Sequence, residues 1–260
     1  MLRKRIIFAL IYSDGFFNQS RNFRLQRVGD LGWLERNYRF QEIALSLDEL
    51  IVLNASRKGK GMVEFAGMIS RLVDDVFVPL AAGGGIGCME DAKILFDNGA
   101  DKVVLNTALW ERGDFVRELV GHYGTQSVVA SVDYRRVEGS DVVFVRDGSE
   151  ALEMGLEEYL CYVEGLGVGE IYLNSIDRDG TGFGYDMDTV GRVGEMGLGC
   201  PLIVAGGAGN EGHLIEGLRL PGVSAVATAN LFNFVGDGLP VARRKIVASG
   251  ENIANWDAHF

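Results

Sequence analysis

Two glycine-rich runs, Gly83-Gly84-Gly85 and Gly206-Gly207-Ala208-Gly209, are the first candidates for chemistry in this chain. Backbone N–H groups in such turns are unshielded by side chains and can close around phosphate oxygens. Each run is followed, one strand-and-helix unit later, by a small polar pair, Asn106-Thr107 or Ala229-Asn230. Together they read as two phosphate cradles, and two cradles imply a ligand with a phosphate at each end. A single glycine turn would be no more than a tight turn; two at matched positions are more telling. The longest distinctive string, Asn174-Ser-Ile-Asp-Arg-Asp-Gly-Thr-Gly-Phe-Gly-Tyr-Asp186, contains Asp179 as a possible acid or base and Gly180 as a further phosphate contact. A third group consists of Arg5, Glu49, Lys102 and Glu170, which alternate in sign. Buried charges persist only when paired and hydrogen-bonded, so these four could close a ring.

The elements that must hold these residues form a repeated strand-and-helix rhythm. Apolar runs beginning near Arg5, Glu49, Phe77, Lys102, Ser127, Glu170, Leu202 and Ala225 predict eight strands, with amphipathic segments between them. Pro79-Leu-Ala-Ala-Gly-Gly-Gly-Ile-Gly recurs as Pro201-Leu-Ile-Val-Ala-Gly-Gly-Ala-Gly, and the same 122-residue displacement lays Ile6–Asp14 over Val128–Arg136. The expected architecture is α/β: one (βα)8 TIM barrel over residues 1–260, built from two related half-barrels. The four charges stand at the starts of strands 1, 2, 4 and 6, and the glycine turns at the opposite ends of strands 3 and 7. Residues 13–30 read as a long polar loop over the mouth. The segment from Tyr134 to Gly148 reads as an inserted hairpin after strand 5, either a lid or a surface ornament.

Composition narrows the function classes. A net charge of −11 opposes binding to nucleic acid or an anionic membrane surface, so any phosphate site must be local. Cys88, Cys161 and Cys200 have neither disulfide-framework nor zinc-site spacing, which fits a reducing cytoplasm. No metal or organic cofactor is expected. The apolar run after Met1-Leu-Arg-Lys-Arg is short and lacks a cleavage site, so it reads as a first strand and not as a signal peptide.

The 174–186 string, the two glycine turns, Gly99-Ala-Asp-Lys-Val and the half-chain repeat together resemble the cyclase subunit of imidazole glycerol phosphate synthase, over about residues 1–235. The related histidine-pathway isomerase barrel shares the repeat and the turns, but the full string favours the cyclase. The resemblance implies two acid/base aspartates at the ends of strands 1 and 5, acting while ammonia attacks a bis-phosphorylated ribulosyl substrate. The strand-5 position is Asp133; the strand-1 position is Ile11, which cannot move a proton. Further departures fall in the same mouth. The loop lysine that the resemblance implies near Gln19 is absent, and Asn54 stands at an aspartate position and Asn230 at a phosphate-binding serine position.

At the opposite face all four charges match the family's gate, through which ammonia enters from a glutaminase subunit in a heterodimer, and Asp101 matches a partner-contact position. The residues by themselves leave open a simpler role, that the ring merely plugs the barrel floor. An intact delivery end with an altered cyclisation end, together with Leu50-Ile-Val-Leu-Asn-Ala-Ser-Arg57, resembles a branch associated with sugar amidation in surface-polysaccharide synthesis. That implies a third, sugar-amidating enzyme as the ammonia acceptor. The alternatives are an authentic cyclase of histidine biosynthesis using Asp133 and Asp179, and a non-catalytic scaffold. Trp256 and Phe260 in the closing segment are expected to pack on the barrel or dock a partner, with packing preferred.

Overall fold

The computed structural model describes residues 3–38, 46–57, 59, 61–74, 76–234 and 236–255. Eight parallel strands close a barrel: β1 (Arg5–Ser13), β4 (Glu49–Asn54), β5 (Leu80–Gly83), β6 (Lys102–Leu105), β7 (Val128–Val137), β10 (Glu170–Ser175), β11 (Leu202–Ala205) and β12 (Val223–Thr228). They neighbour one another in that order, with β12 joined to β1 and the β7–β10 pairing completing the circle. Helices alternate with the strands and cover the outside, as the rhythm predicts. The third strand starts at Leu80 and not near Phe77, which is 76% exposed.

Side chains alternate across each strand, so every strand feeds two cores. Phe8, Leu10, Leu50 and Val52 face the helices, whereas Ile7, Ala9, Ile51, Ala81, Val104, Val129, Tyr172, Ile203, Ala205, Ala225 and Ala227 fill the barrel. The helix α1 (Met62–Val73) buries Phe65, Ala66, Met68, Ile69 and Leu72, a three-and-four spacing that puts one apolar stripe on the sheet. Burying a side chain such as Phe65 stabilises the fold by roughly 2–3 kcal/mol.

The stretch expected to be a loop, residues 13–30, is instead a β-hairpin. β1 runs past the barrel rim and pairs antiparallel with β2 (Phe16–Arg21), which pairs with β3 (Arg24–Gly29). Asn22 and Phe23 make the turn with positive φ. Polar residues hid this hairpin because only one of its faces is buried. The insertion after strand 5 is larger than the sequence implied: β7 continues into β8 (Ser140–Val145) and β9 (Glu150–Gly155). Glu138 and Gly139, both with positive φ, connect β7 and β8, as a two-residue hairpin loop demands. The two half-barrels therefore carry equivalent hairpins after strands 1 and 5.

The closing segment packs on the barrel floor as far as it is described. Lys4 N–H donates to the Asn252 carbonyl at 2.7 Å, and buried Arg243 bridges Asp48 at 2.9 Å and donates to the Ala254 carbonyl. Trp256 and Phe260 lie outside the described residues. Among the described residues, no helix is long and apolar enough to cross a membrane.

Candidate functional site

At the floor of the barrel the four predicted charges form a closed cycle. Arg5 bridges Glu49 at 2.8 Å and also Glu170; Lys102 reaches Glu49 at 3.0 Å and Glu170 at 2.7 Å. They meet because each is the first residue of its strand and its side chain points to the axis. Glu49 is 2% exposed and Glu170 8%. Burial pushes the Glu49 carboxyl up, with Lys102 opposing. Burial also acts on Glu170, but Arg5 and Lys102 outweigh it and hold that carboxyl below its ordinary range. Asp101 is exposed beside the ring, and its carboxylate accepts the Leu80 N–H at 2.8 Å.

The strand alternation carries the interior upward from this ring: Glu170, Tyr172 and Asn174 on β10, and Val129, Ser131 and Asp133 on β7. Four residues of β10 span about 13 Å at 3.3 Å per residue. At the top lies a cavity of about 240 Å3, lined by Ile11, Asn54, Gly84, Gly85, Asn106, Thr107, Asp133, Asp179, Gly180, Gly206, Gly207, Ala229 and Asn230 among others. The structure thus gathers every predicted mouth residue around one space.

Asp133 is the carboxyl at its heart. It accepts from Asn174 Nδ2 at 2.9 Å and from Asn106 Nδ2 at 3.1 Å. Burial nevertheless pushes it up to about 7, because two neutral amides offset little of the lost hydration of a charge. The 122-residue repeat places Ile11 at the position equivalent to Asp133: Ile11 pairs with Asn18 of its hairpin as Asp133 pairs with Phe144. One half-barrel presents a proton-transfer group, the other an aliphatic chain.

Asp179 is differently employed. Its Oδ2 accepts from Ser20 Oγ at 2.5 Å and from Phe23 N–H at 3.0 Å, while its carbonyl accepts the Asn22 N–H at 3.0 Å. Burial raises its carboxyl despite these donors. Asp179 therefore fastens the first hairpin over the mouth. Gly180 belongs to the same fastening: with φ +67°, a Cβ there would overlap the Ser20 carbonyl oxygen. The tip of this hairpin, Phe23, lies against Gly148 in the tip of the second, so the two hairpins meet above the cavity.

Both glycine turns take left-handed backbone, with φ of +110° and +81° at Gly84 and Gly85 and of +85° and +113° at Gly206 and Gly207. Their partners differ. Thr107 Oγ1 accepts the Arg146 N–H at 3.0 Å, whereas Asn230 turns its own oxygen back onto the N–H groups of Phe232 and Asn233. Arg57, Arg146, Asp147, Ser20 and Ser131 also line the cavity. Sequence reasoning assigned none of these five to the site. Arg146 and Asp147 lay in the insertion read as a lid or ornament and Ser20 in the segment read as a loop over the mouth; Arg57 and Ser131 were not singled out for the site.

A closed eight-stranded barrel with a charged ring at one end, an acid-bearing cavity at the other and glycine turns at matched positions defines a (βα)8 barrel built from two related halves. The chain belongs to the histidine biosynthesis protein family, whose model matches residues 34–236. It is 46% identical over 98% of its length, and 95% of the relative, to a protein of Parasynechococcus marenigrum provisionally named imidazole glycerol phosphate synthase subunit hisF2. It is 36% identical to the imidazole glycerol phosphate synthase subunit HisF of Chlorobium phaeobacteroides (90% of this chain, 92% of the relative). To the HisF of Pyrobaculum aerophilum it is 37% identical, over 82% of each chain.

Proposed function

We propose that this barrel receives ammonia from a glutaminase subunit docked on the ring face and conducts it to the mouth, for amidation of a sugar by a third enzyme. The observation that carries this reading is the contrast between the ends: the ring is complete, while the first-strand acid/base position is Ile11. The HisF relatives support the glutaminase as partner, and the resemblance of Leu50–Arg57 supports the sugar-amidating branch.

In this reading Lys102 is the movable member of the ring, since a flexible ammonium can swing from one carboxylate where a forked guanidinium cannot. Past the ring, Ile7, Ile51, Ala81, Val129 and Ala225 offer no partner to a charge. Neutral ammonia crosses such a layer at little cost, whereas ammonium would lose its hydration. At the mouth, Asp133 and its two asparagines receive the emerging nitrogen, and the paired hairpins exclude water. The acceptor step, on the third enzyme, condenses ammonia with the carbonyl carbon of an acetamido group, giving an acetamidino group while the carbonyl oxygen leaves as water.

A second reading, ring closure in histidine biosynthesis, is favoured by Asp133 and by the relatives' names. The purified barrel, given ammonium salt at pH 8.5 and the family's ribulosyl substrate, is expected to form no appreciable imidazole product. Turnover close to that of ordinary cyclases rejects the delivery reading and establishes the second.

A further inference from the structure

The two hairpins over the mouth treat their arginines differently. On the second, Arg135 pairs with Asp177 at 3.4 Å, Arg136 with Asp141 at 3.0 Å and Arg146 with Glu150 at 2.9 Å. On the first, Phe16–Gly29 carries Arg21, Arg24 and Arg27 and no acidic residue, in a chain with 36 Asp and Glu against 25 Lys and Arg. All three are exposed, and none pairs with a carboxylate among the described residues. Arg27 lies over the Phe16 ring, 3.7 Å from its centroid. Arg21 and Arg24 stand directly opposite each other across the turn, where like charges destabilise a hairpin. The chain thus keeps two unanswered cations side by side at a cost to its own fold.

Exposed aromatic surface adjoins them. Phe183, in the loop after β10, is 76% exposed, and Phe232, in the loop after β12, is 54% exposed. Both loops touch β2. A Cβ on Gly180 would lie 2.7 Å from Arg21 Cα, and the Leu231 N–H donates to Gln19 Oε1 at 2.9 Å. The loops also meet each other at Gly209: Asn233 Nδ2 donates to its carbonyl at 2.8 Å, and a Cβ on Gly209 would lie 2.8 Å from Gly182 Cα. Arg21, Phe183 and Phe232 therefore stand on three touching segments of one sector of the rim. Arginine and aromatic side chains are the types that dominate the centres of protein–protein contacts.

Neither Arg21 nor Arg24 lines the cavity, so a small ligand held there does not engage them. The net charge of −11 opposes approach to an anionic membrane. A protein that brings its own carboxylates meets both conditions. We propose that this sector of the rim docks the enzyme that accepts the ammonia, which presents carboxylates to Arg21 and Arg24 beside an apolar recess for Phe183 and Phe232. The proposal rests on the delivery reading and adds where the acceptor sits. Docked there, the acceptor takes ammonia at the mouth before bulk water can protonate it.

The test is calorimetric titration of the barrel–glutaminase complex with the purified sugar-amidating enzyme. Joint replacement Arg21→Glu and Arg24→Glu should weaken binding at least about tenfold, and Phe183→Ser should do the same. Arg21→Lys with Arg24→Lys should retain most of the affinity, and added salt should weaken the unaltered complex more than the charge-reversed one. Arg117→Glu, exposed on the outer helix Gly113–Tyr123, should change binding less than about twofold. Amidation driven by ammonium salt should be the same for every variant. Binding that survives both the charge reversal and Phe183→Ser, or no binding by the unaltered complex, overturns the proposal. Adsorption to phosphatidylglycerol vesicles that is lost in the same variants overturns it too, assigning the surface to lipid. Intact, patch-dependent binding without glutamine-dependent nitrogen transfer would sink the delivery reading alone.

Discussion

Asp133 keeps its proton in the folded chain to about pH 7, whereas in an unfolded chain it loses it near the ordinary carboxyl value of 3.8. The folded state therefore binds this proton more tightly, and the contribution, full below pH 4, is lost as pH rises to 7. At 1.36 kcal/mol per unit the limiting loss is about 4 kcal/mol. Asp133→Asn should remove that pH dependence, so the wild-type-minus-variant difference in unfolding free energy, from urea melts at pH 5 and pH 8, should shift by a few kcal/mol toward the variant. An unchanged difference would mean that Asp133 is ionised and solvated. Asp133 and Ile11 occupy equivalent places in the repeat, so one mouth combines a proton-holding carboxyl with a group that cannot take part in proton transfer.

At the scale of elements, the two hairpins meet tip to tip over part of the mouth. The first is fastened by Asp179 and Gly180, and the second is anchored through Asp141, 2% exposed at its side chain, which accepts from Arg136 at 3.0 Å, from Thr189 Oγ1 at 2.9 Å and from Arg192. Burial opposes the Asp141 charge, yet these three donors hold its carboxyl below the ordinary range. Asp179→Ala should release Ser20 and Phe23 and let the turn that carries the exposed Arg21 and Arg24 unfold locally. Trypsin should then cut there several-fold faster than in wild type while circular dichroism of the barrel stays unchanged. Gly180→Ala should act in the same direction, because the added methyl forces the hairpin away. Equal cleavage rates would show that Asp179 does not hold the hairpin. The sequence disclosed Asp179 and Gly180 as candidate site residues, but the contact of Asp179 with Ser20, 159 positions away, existed only after folding.

For the molecule as a whole, the proposed function would make the ring couple stability to ammonia delivery. Lys102→Ala leaves Glu49 and Glu170 sharing Arg5 alone, and breaking such a buried pair costs about 3–5 kcal/mol. Both carboxyls then move up, so the folded state gains proton affinity and the destabilisation grows with pH. The melting-temperature deficit of the variant should be larger at pH 8 than at pH 5. In the complex, the same variant should alter glutamine-dependent amidation while leaving assembly with the glutaminase intact. If blocking the floor spares both amidation and assembly, the barrel serves only as a scaffold.

The sequence by itself determined the eight strands, the half-chain repeat, the four ring charges and the glycine turns. Each of these is written in local periodicity or in residues whose backbone freedom and charge act wherever they stand. Only the tertiary structure decided that residues 13–30 form a hairpin, that Asp179 fastens it, and that Asn230 and Gln19 spend themselves on the chain's own N–H groups. It also brought Arg57 and Arg146 to the cavity. These are contacts between distant segments, and their worth depends on which partner reaches a donor or acceptor first, a competition settled only when the barrel closes.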